Sequence, residues 1–274
     1  MIVGLFSLFL LITPGASIAF LAFVSFLAFK EFLSLIPTRR ADHRVLFWAY
    51  LAIPIQYSWI AIGWYDLFLI FVPVYVFMGL LTRMVFIGET AGFLRAIGTL
   101  HWGLMTTVFS LSHAAYLLVL KPSETGRVLP QWPAGLTGDT AGPGLLLLLV
   151  LLTQFNDVAQ FCWGKTLGRF KVVPKVSPGK TLAGLLGGVL STIVLAGLLG
   201  PWLTFLDLPR AILAGALIGL GGFAGDVSIS AVKRDLGVKD SGSTLPGHGG
   251  ILDRVDSLTY TAPLFFHFVN YHYG

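Results

Sequence analysis

Charge is the scarcest property of this chain. Of 274 residues only 11% are Asp, Glu, Lys or Arg, against about 25% in soluble domains. Hydrophobic residues make up 55%, and the mean hydropathy is +0.82. Cysteine is nearly absent as well: Cys162 stands alone, which excludes an internal disulfide framework and a cysteine-based zinc site. The opening MIVGLFSLFLLITPG has no basic residue ahead of its apolar run, so it reads as a retained helix and not a secretory signal. No soluble domain and no internal repeat stand out. A polytopic, all-α membrane protein is what remains.

A bilayer core takes about 20 apolar residues per helix. Such runs fall near 2–13, 17–36, 45–62, 67–83, 98–120, 143–162, 181–199, 211–230 and 252–271. Pro14-Gly15 leaves open whether the first two are separate, so the count is nine or eight, with nine preferred. Charge checks the count. With nine spans, one side of the membrane collects Arg39, Arg40, Arg44, Arg83, Arg95, Lys165, Arg169, Lys171, Lys175, Lys180, Lys233, Arg234, Lys239 and Arg254. The other side receives Lys121, Arg127 and Arg210. That bias puts the basic side and the N-terminus in the cytoplasm. Residues 1–142 read as N-terminal anchoring spans with room for oligomer contacts, and 143–274 as the region that carries chemistry. The polar stretch 121–142 reads as an outside connector. The spacings Gly184-xxx-Gly188, Gly215-xxx-Gly219 and Gly221-xxx-Gly225 suit close helix packing, with a homodimer interface as the less favoured use.

Four carboxylates, Asp157, Asp226, Asp253 and Asp256, lie at or within the cytoplasmic ends of three spans. An ionised aspartate in a bilayer is costly unless paired, hydrated or metal-bound, which makes each a functional candidate. Asp226, Ser230 and Lys233 stand at i, i+4 and i+7, on one helical face. Asp253, Asp256 and Ser257 stand at i, i+3 and i+4. Acids from neighbouring helices form an all-oxygen set that suits Mg²⁺ shared with phosphate oxygens. The competing reading is Asp–Lys and Asp–Arg pairing that neutralises charge, and spacing alone leaves both open.

The loop 163–181, WGKTLGRFKVVPKVSPGKT, has five cations and no acid. Its SPGKT end is not a P-loop, because Pro174 stands where the first glycine is required. A turn at Pro178-Gly179 still allows backbone N–H groups, Lys180 and Thr181 to face a phosphate. Among six histidines only His248 is near the acids, and no nucleophilic triad is indicated. Nothing suggests a nucleic-acid partner.

The stretch Ser230 to Asp256, SAVKRDLGVKDSGSTLPGHGGILDRVD, closely resembles the signature S-x-x-K-R-x(4)-K-D-x-[GSA]-x(2)-[LIF]-[PG]-x-H-G-G-x-x-D-R-x-D of the CDP-diacylglycerol synthases, or phosphatidate cytidylyltransferases. Residues 157–181 resemble a second pattern of that family, D-S-x-A-Y…G-[KR]…P-K-V-S-P-G-K-T. Here Val158, Gln160, Phe161, Leu182 and Ala183 depart from it, which bears on substrate preference more than on reaction type. The resemblance implies an integral protein of the bacterial inner membrane with a cytoplasmic site. It implies cytidylyl transfer from CTP to phosphatidate with release of pyrophosphate. Asp226, Asp253 and Asp256 are then the expected magnesium ligands, and a potassium-like second cation is expected near Asp157. Asp226, Lys233, Arg234, Asp253 and Arg254 become the expected catalytic set. Asp157, Lys175, Ser177, Lys180, Thr181, Ser230, Lys239 and His248 become the expected substrate-binding set. The alternatives are another lipid phosphate or a lipid alcohol as acceptor, an inactive scaffold, and an ion-coupled transporter. A transporter predicts midplane acids and inverted repeats, and neither is evident.

Overall fold

The computed structural model describes residues 13–36, 43–120, 142–242 and 249–274. The expected first span and His248 lie outside them. Within them the protein is all-helical, with an isolated bridge between Lys171 and Thr181 and no named strand. The elements are α1 (Pro14–Leu35), α2 (His43–Ile62), α3 (Tyr65–Ile87), the continuous run α4 (93–116), α5 (Gly142–Leu167), α6 (Leu182–Leu203), α7 (Leu208–Asp235), the short α8 (Leu252–Val255) and α9 (Leu258–Tyr273). Among the described residues, α1, α2, α3, α5, α6 and α7 are each long and apolar enough to cross a membrane. This is an integral membrane protein. Eight of the nine expected spans coincide with helices. α4 is as long as those six but less apolar, and α9, at 16 residues, is shorter.

Local sequence explains where the helices start and stop. Thr13 caps α1, its side chain accepting from the Ala16 N–H at 3.2 Å. Asp207 does the same for α7 through Arg210, at 3.1 Å, and Pro209 sits in the first turn, where its missing N–H costs nothing. Just past the end of α7, Gly237 takes φ +72°, the left-handed stop that glycine adopts most readily. α3 and α4 each contain a π-helical turn, at Phe71–Val76 around Pro73 and at Met105–Ser110. Proline cannot donate to the ladder, and a wider turn accommodates the gap.

α5, α6, α7 and α9 pack into one bundle, and α9 also packs on α4, which joins the two halves of the chain around a continuous core. α6 shows how this works without a hydrophobic gradient. Gly184, Gly188, Thr192, Ala196 and Gly200 are buried on one side, while Leu186, Leu190, Val194 and Leu198 are exposed on the other, facing lipid. The small side lets backbones approach. The paired glycines of α6 and α7 are used inside the chain: Gly184 and Gly188 against α5, Gly215 and Gly219 against α6, Gly221 and Gly225 against α9 and the turn before it. Asn156 then ties three helices. It donates to the Gly219 carbonyl at 3.2 Å and accepts from Thr192 at 3.2 Å.

The last expected span, 252–271, needs a correction at its start. The long helix begins at Leu258, and Asp253 and Asp256 sit in a short helix and turn ahead of it.

Candidate active site

At 28 residues, α7 is about 42 Å long at 1.5 Å per residue, against a hydrocarbon core of about 30 Å. Asp226 falls near the far edge of that thickness, and Ser230, Lys233 and Arg234 lie beyond it. Onto this end the fold brings three other pieces: Asp157 from α5, the loop 168–181, and the segment around α8.

Two acid–lysine pairs organise the site. Lys180 Nζ lies 2.6 Å from Asp226 Oδ2 and also donates to Gln160 Oε1 at 3.1 Å. Ser230 donates to the other Asp226 oxygen at 3.2 Å. Lys233 Nζ lies 2.7 Å from Asp253 Oδ1. The second oxygen of Asp253 accepts the N–H groups of Ser241 at 2.9 Å and Gly250 at 3.2 Å. Burial pushes the Asp253 carboxyl up, but Lys233 and these two amides outweigh it and leave it below the ordinary carboxylate range.

Asp157 and Asp256 take part in no salt bridge among the described residues. Ser257 serves both, its hydroxyl donating to Asp157 at 3.0 Å and its N–H to Asp256 at 2.7 Å. Asp256 is pushed well above the ordinary carboxylate range by burial first, then by the charges of Asp226 and Asp157. Asp157, Asp226 and Asp256 are half-buried, and the negative charge they bring together is what a cation would relieve. Close backbone approach brings α7 to the turn at Asp256: a Cβ on Gly225 would sit 2.7 Å from the Asp256 carbonyl and 3.2 Å from the Ser257 Cα.

The donors fit magnesium in chemistry, being hard carboxylate oxygens. Among the described residues no three such side chains are gathered closely enough to enclose a metal unaided. The arrangement therefore fits an ion held by one or two carboxylates and completed by substrate phosphates. Asp226 and Asp256 are the closer set, while Asp253 is held one step away on Lys233.

Other expected site residues have structural partners. Thr181 is buried and caps α6, accepting from the Gly184 N–H at 3.1 Å. Arg234 donates to the carbonyls of Val176 at 3.2 Å and Val238 at 3.3 Å, so it straps the basic loop to the end of α7. Within that loop Ser177 donates its N–H to Val173 and accepts from the Lys180 N–H. Lys175 and Lys239 are exposed at the rim, and Arg254 is half-buried beside Asp253. Two contributors were not among the expected site residues. Gln160, known only as a departure from a family pattern, is buried and holds Lys180. Glu31, on α1, reaches the α8 segment. The available signal for Glu31 was an acid inside an apolar span, which is a functional candidate in itself.

A family model described as the cytidylyltransferase family matches residues 1–272. An uncharacterized protein of Escherichia coli strain K12, YnbB, is 47% identical over 255 residues, 93% of this chain and 79% of its own length. A phosphatidate cytidylyltransferase of Synechocystis is 47% identical over 145 residues, 50% of this chain and 48% of that protein. One of Pseudomonas aeruginosa is 39% identical over 152 residues, 54% of each. The chain spans about half the length of these two phosphatidate cytidylyltransferases. With the family match running over nearly its whole length, the chain belongs to the cytidylyltransferase family and is a nucleotidyltransferase.

Proposed function

We propose that this protein transfers the cytidylyl group of CTP to phosphatidate, giving CDP-diacylglycerol and pyrophosphate for phospholipid biosynthesis. The observation that carries the reading is the convergence of Asp157, Asp226 and Asp256 with Lys180 and Lys233 at one end of α7. It joins carboxylates for a cation to ammonium groups for phosphates, where a lipid headgroup and a soluble nucleotide can meet.

In the reaction a phosphate oxygen of the lipid forms a bond to the α-phosphorus of CTP, and the bond from that phosphorus to the α–β bridging oxygen breaks. Pyrophosphate leaves with those electrons. The nucleophile is already anionic, so alignment and charge neutralisation dominate over base catalysis. Asp226 and Asp256, with Asp253 beside them, would hold magnesium, which when bound neutralises phosphate charge. Lys180 and Lys233 are freed from Asp226 and Asp253 as phosphate oxygens arrive, and each ammonium then binds a phosphate. Ser230 keeps Asp226 oriented. Lys175, Lys239 and Arg254 supply positive potential around the entrance. Asp157, oriented by Ser257, is the place for the second, potassium-like cation.

The site faces the cytoplasm of a bacterial inner membrane in this reading, since the basic loops lie on its side. The half 143–274 carries the chemistry, and 1–142 anchors it. A homodimer would use a face other than the paired glycines of α6 and α7. One observation favours a second acceptor, a lipid phosphate other than phosphatidate: Gln160 grips Lys180 at a position where the family pattern has alanine.

The test is purified protein with CTP, Mg²⁺ and a panel of lipid phosphates and lipid alcohols, read by pyrophosphate release. Release with phosphatidate supports the assignment. Release confined to another lipid moves the substrate, and no lipid-dependent release sinks the transferase reading.

A further inference from the structure

We infer that Glu31 is a positioning residue for the reaction, although it stands on α1, more than two hundred residues before the segment it orders. The inference rests on the reading that Asp253, paired with Lys233, takes part in catalysis. Glu31 is buried, at 7% exposure, in the last turns of α1, which packs against α8. Its Oε2 accepts the Leu252 N–H at 2.8 Å and the Ser241 hydroxyl at 3.3 Å. Ser241 is the same residue whose N–H holds Asp253, and Leu252 immediately precedes Asp253 in the chain. A relay therefore runs from Glu31 through Ser241 and Leu252 to the carboxylate paired with Lys233.

The segment is shaped to receive this carboxylate. A Cβ on Gly250 would collide with both Glu31 Oε2 and Ser241 Oγ, and one on Gly242 would press on Glu31 Oε1 at 3.2 Å. Glycine at both places lets backbone close around the acid. Burying a carboxylate with no described ion pair costs stability, and hydrophobic packing alone would never call for it. All described hydrogen bonds of the carboxylate fall on Oε2, while Oε1 is buried with no partner among the described residues. The role is that of a one-oxygen acceptor, so a glutamine can fill it and an alanine cannot.

The experiment uses the full chain in lipid nanodiscs, with steady-state kinetics on CTP and amide hydrogen exchange over 249–254. Glu31→Ala should speed exchange across that segment and lower kcat by about 10²-fold, the cost of displacing a reacting group by an ångström or so. The KM for CTP should stay within roughly threefold, because the nucleotide side is built on other elements. Glu31→Gln should restore both exchange and kcat to near the wild-type values. Gly250→Ala, which attacks the same contact from the other side, should reproduce the alanine effects even if Glu31→Ala fails to accumulate. Wild-type exchange and kcat in Glu31→Ala or Gly250→Ala would overturn the inference, as would Glu31→Gln being as damaging as alanine. If the wild-type protein itself shows no turnover with CTP, the exchange arm still decides the placement of Glu31, separately from the reaction.

Discussion

Lys180, at the end of the basic loop, lies 2.6 Å from the Asp226 carboxylate in the last third of α7. This pair joins the end of the 157–181 region to α7, four residues ahead of the Ser230–Asp256 stretch. In the proposed reaction it places a candidate phosphate-binding cation directly on a candidate magnesium ligand.

Gln160 sets how firmly that lysine is held. Its Oε1 accepts from Lys180, a hydrogen bond to a charged group worth about 1.5 kcal/mol. Gln160→Ala should therefore change the KM for CTP by roughly five- to tenfold and leave kcat nearly unchanged. Steady-state kinetics against CTP at saturating lipid checks this. An unchanged KM would mean that the contact plays no part in nucleotide binding.

Asp253→Asn removes the charge that faces Lys233 while keeping an oxygen for the Ser241 and Gly250 amides. Turnover should fall on the order of 10²–10³-fold, as when a group aimed at transition-state charge is lost. The amount of protein recovered from membranes should hold, because the asparagine keeps an acceptor for both amides and the pair lies at the end of α7. Initial rates and quantitative blotting on the same preparations provide the comparison. A fully active variant would remove Asp253 from the mechanism.

Gly225→Ala puts a methyl group 2.7 Å from the Asp256 carbonyl, and that backbone has little room to move. Overpacking of this kind costs about 1–3 kcal/mol, and here it also pushes Asp256 away from Asp226. We expect a lower unfolding temperature in detergent together with a higher Mg²⁺ requirement. Gly237→Ala, at a left-handed position away from the carboxylates, should lower stability without moving the Mg²⁺ requirement.

Much of the fold was legible because lipid imposes a simple rule on sequence: apolar runs of span length become helices. Eight expected spans coincide with helices for this reason. Period and length could not separate α8 from α9, since Asp253, Asp256 and Ser257 keep helical spacing across the break, and only the turn at Asp256 and Ser257 reveals it. The acids and lysines of the site were legible from helical spacing, but their pairing was not. Asp226 was expected beside Lys233 on one helical face; Lys233 crosses to Asp253, and Lys180 arrives from another loop. Glu31 was hidden for a different reason. Its partners are backbone N–H and a serine hydroxyl far along the chain, and no local pattern encodes such a contact.

In the proposed reaction the α-phosphorus of CTP moves to a lipid phosphate. The most direct measurement incubates the protein, Mg²⁺ and phosphatidate with CTP labelled at the α-phosphate in one reaction and at the γ-phosphate in another. Radioactivity is then followed into the lipid phase. The account predicts lipid label from the α-position alone, with γ-label leaving in pyrophosphate. Lipid label from the γ-position would instead mean phosphorylation of the lipid by CTP, and would contradict it.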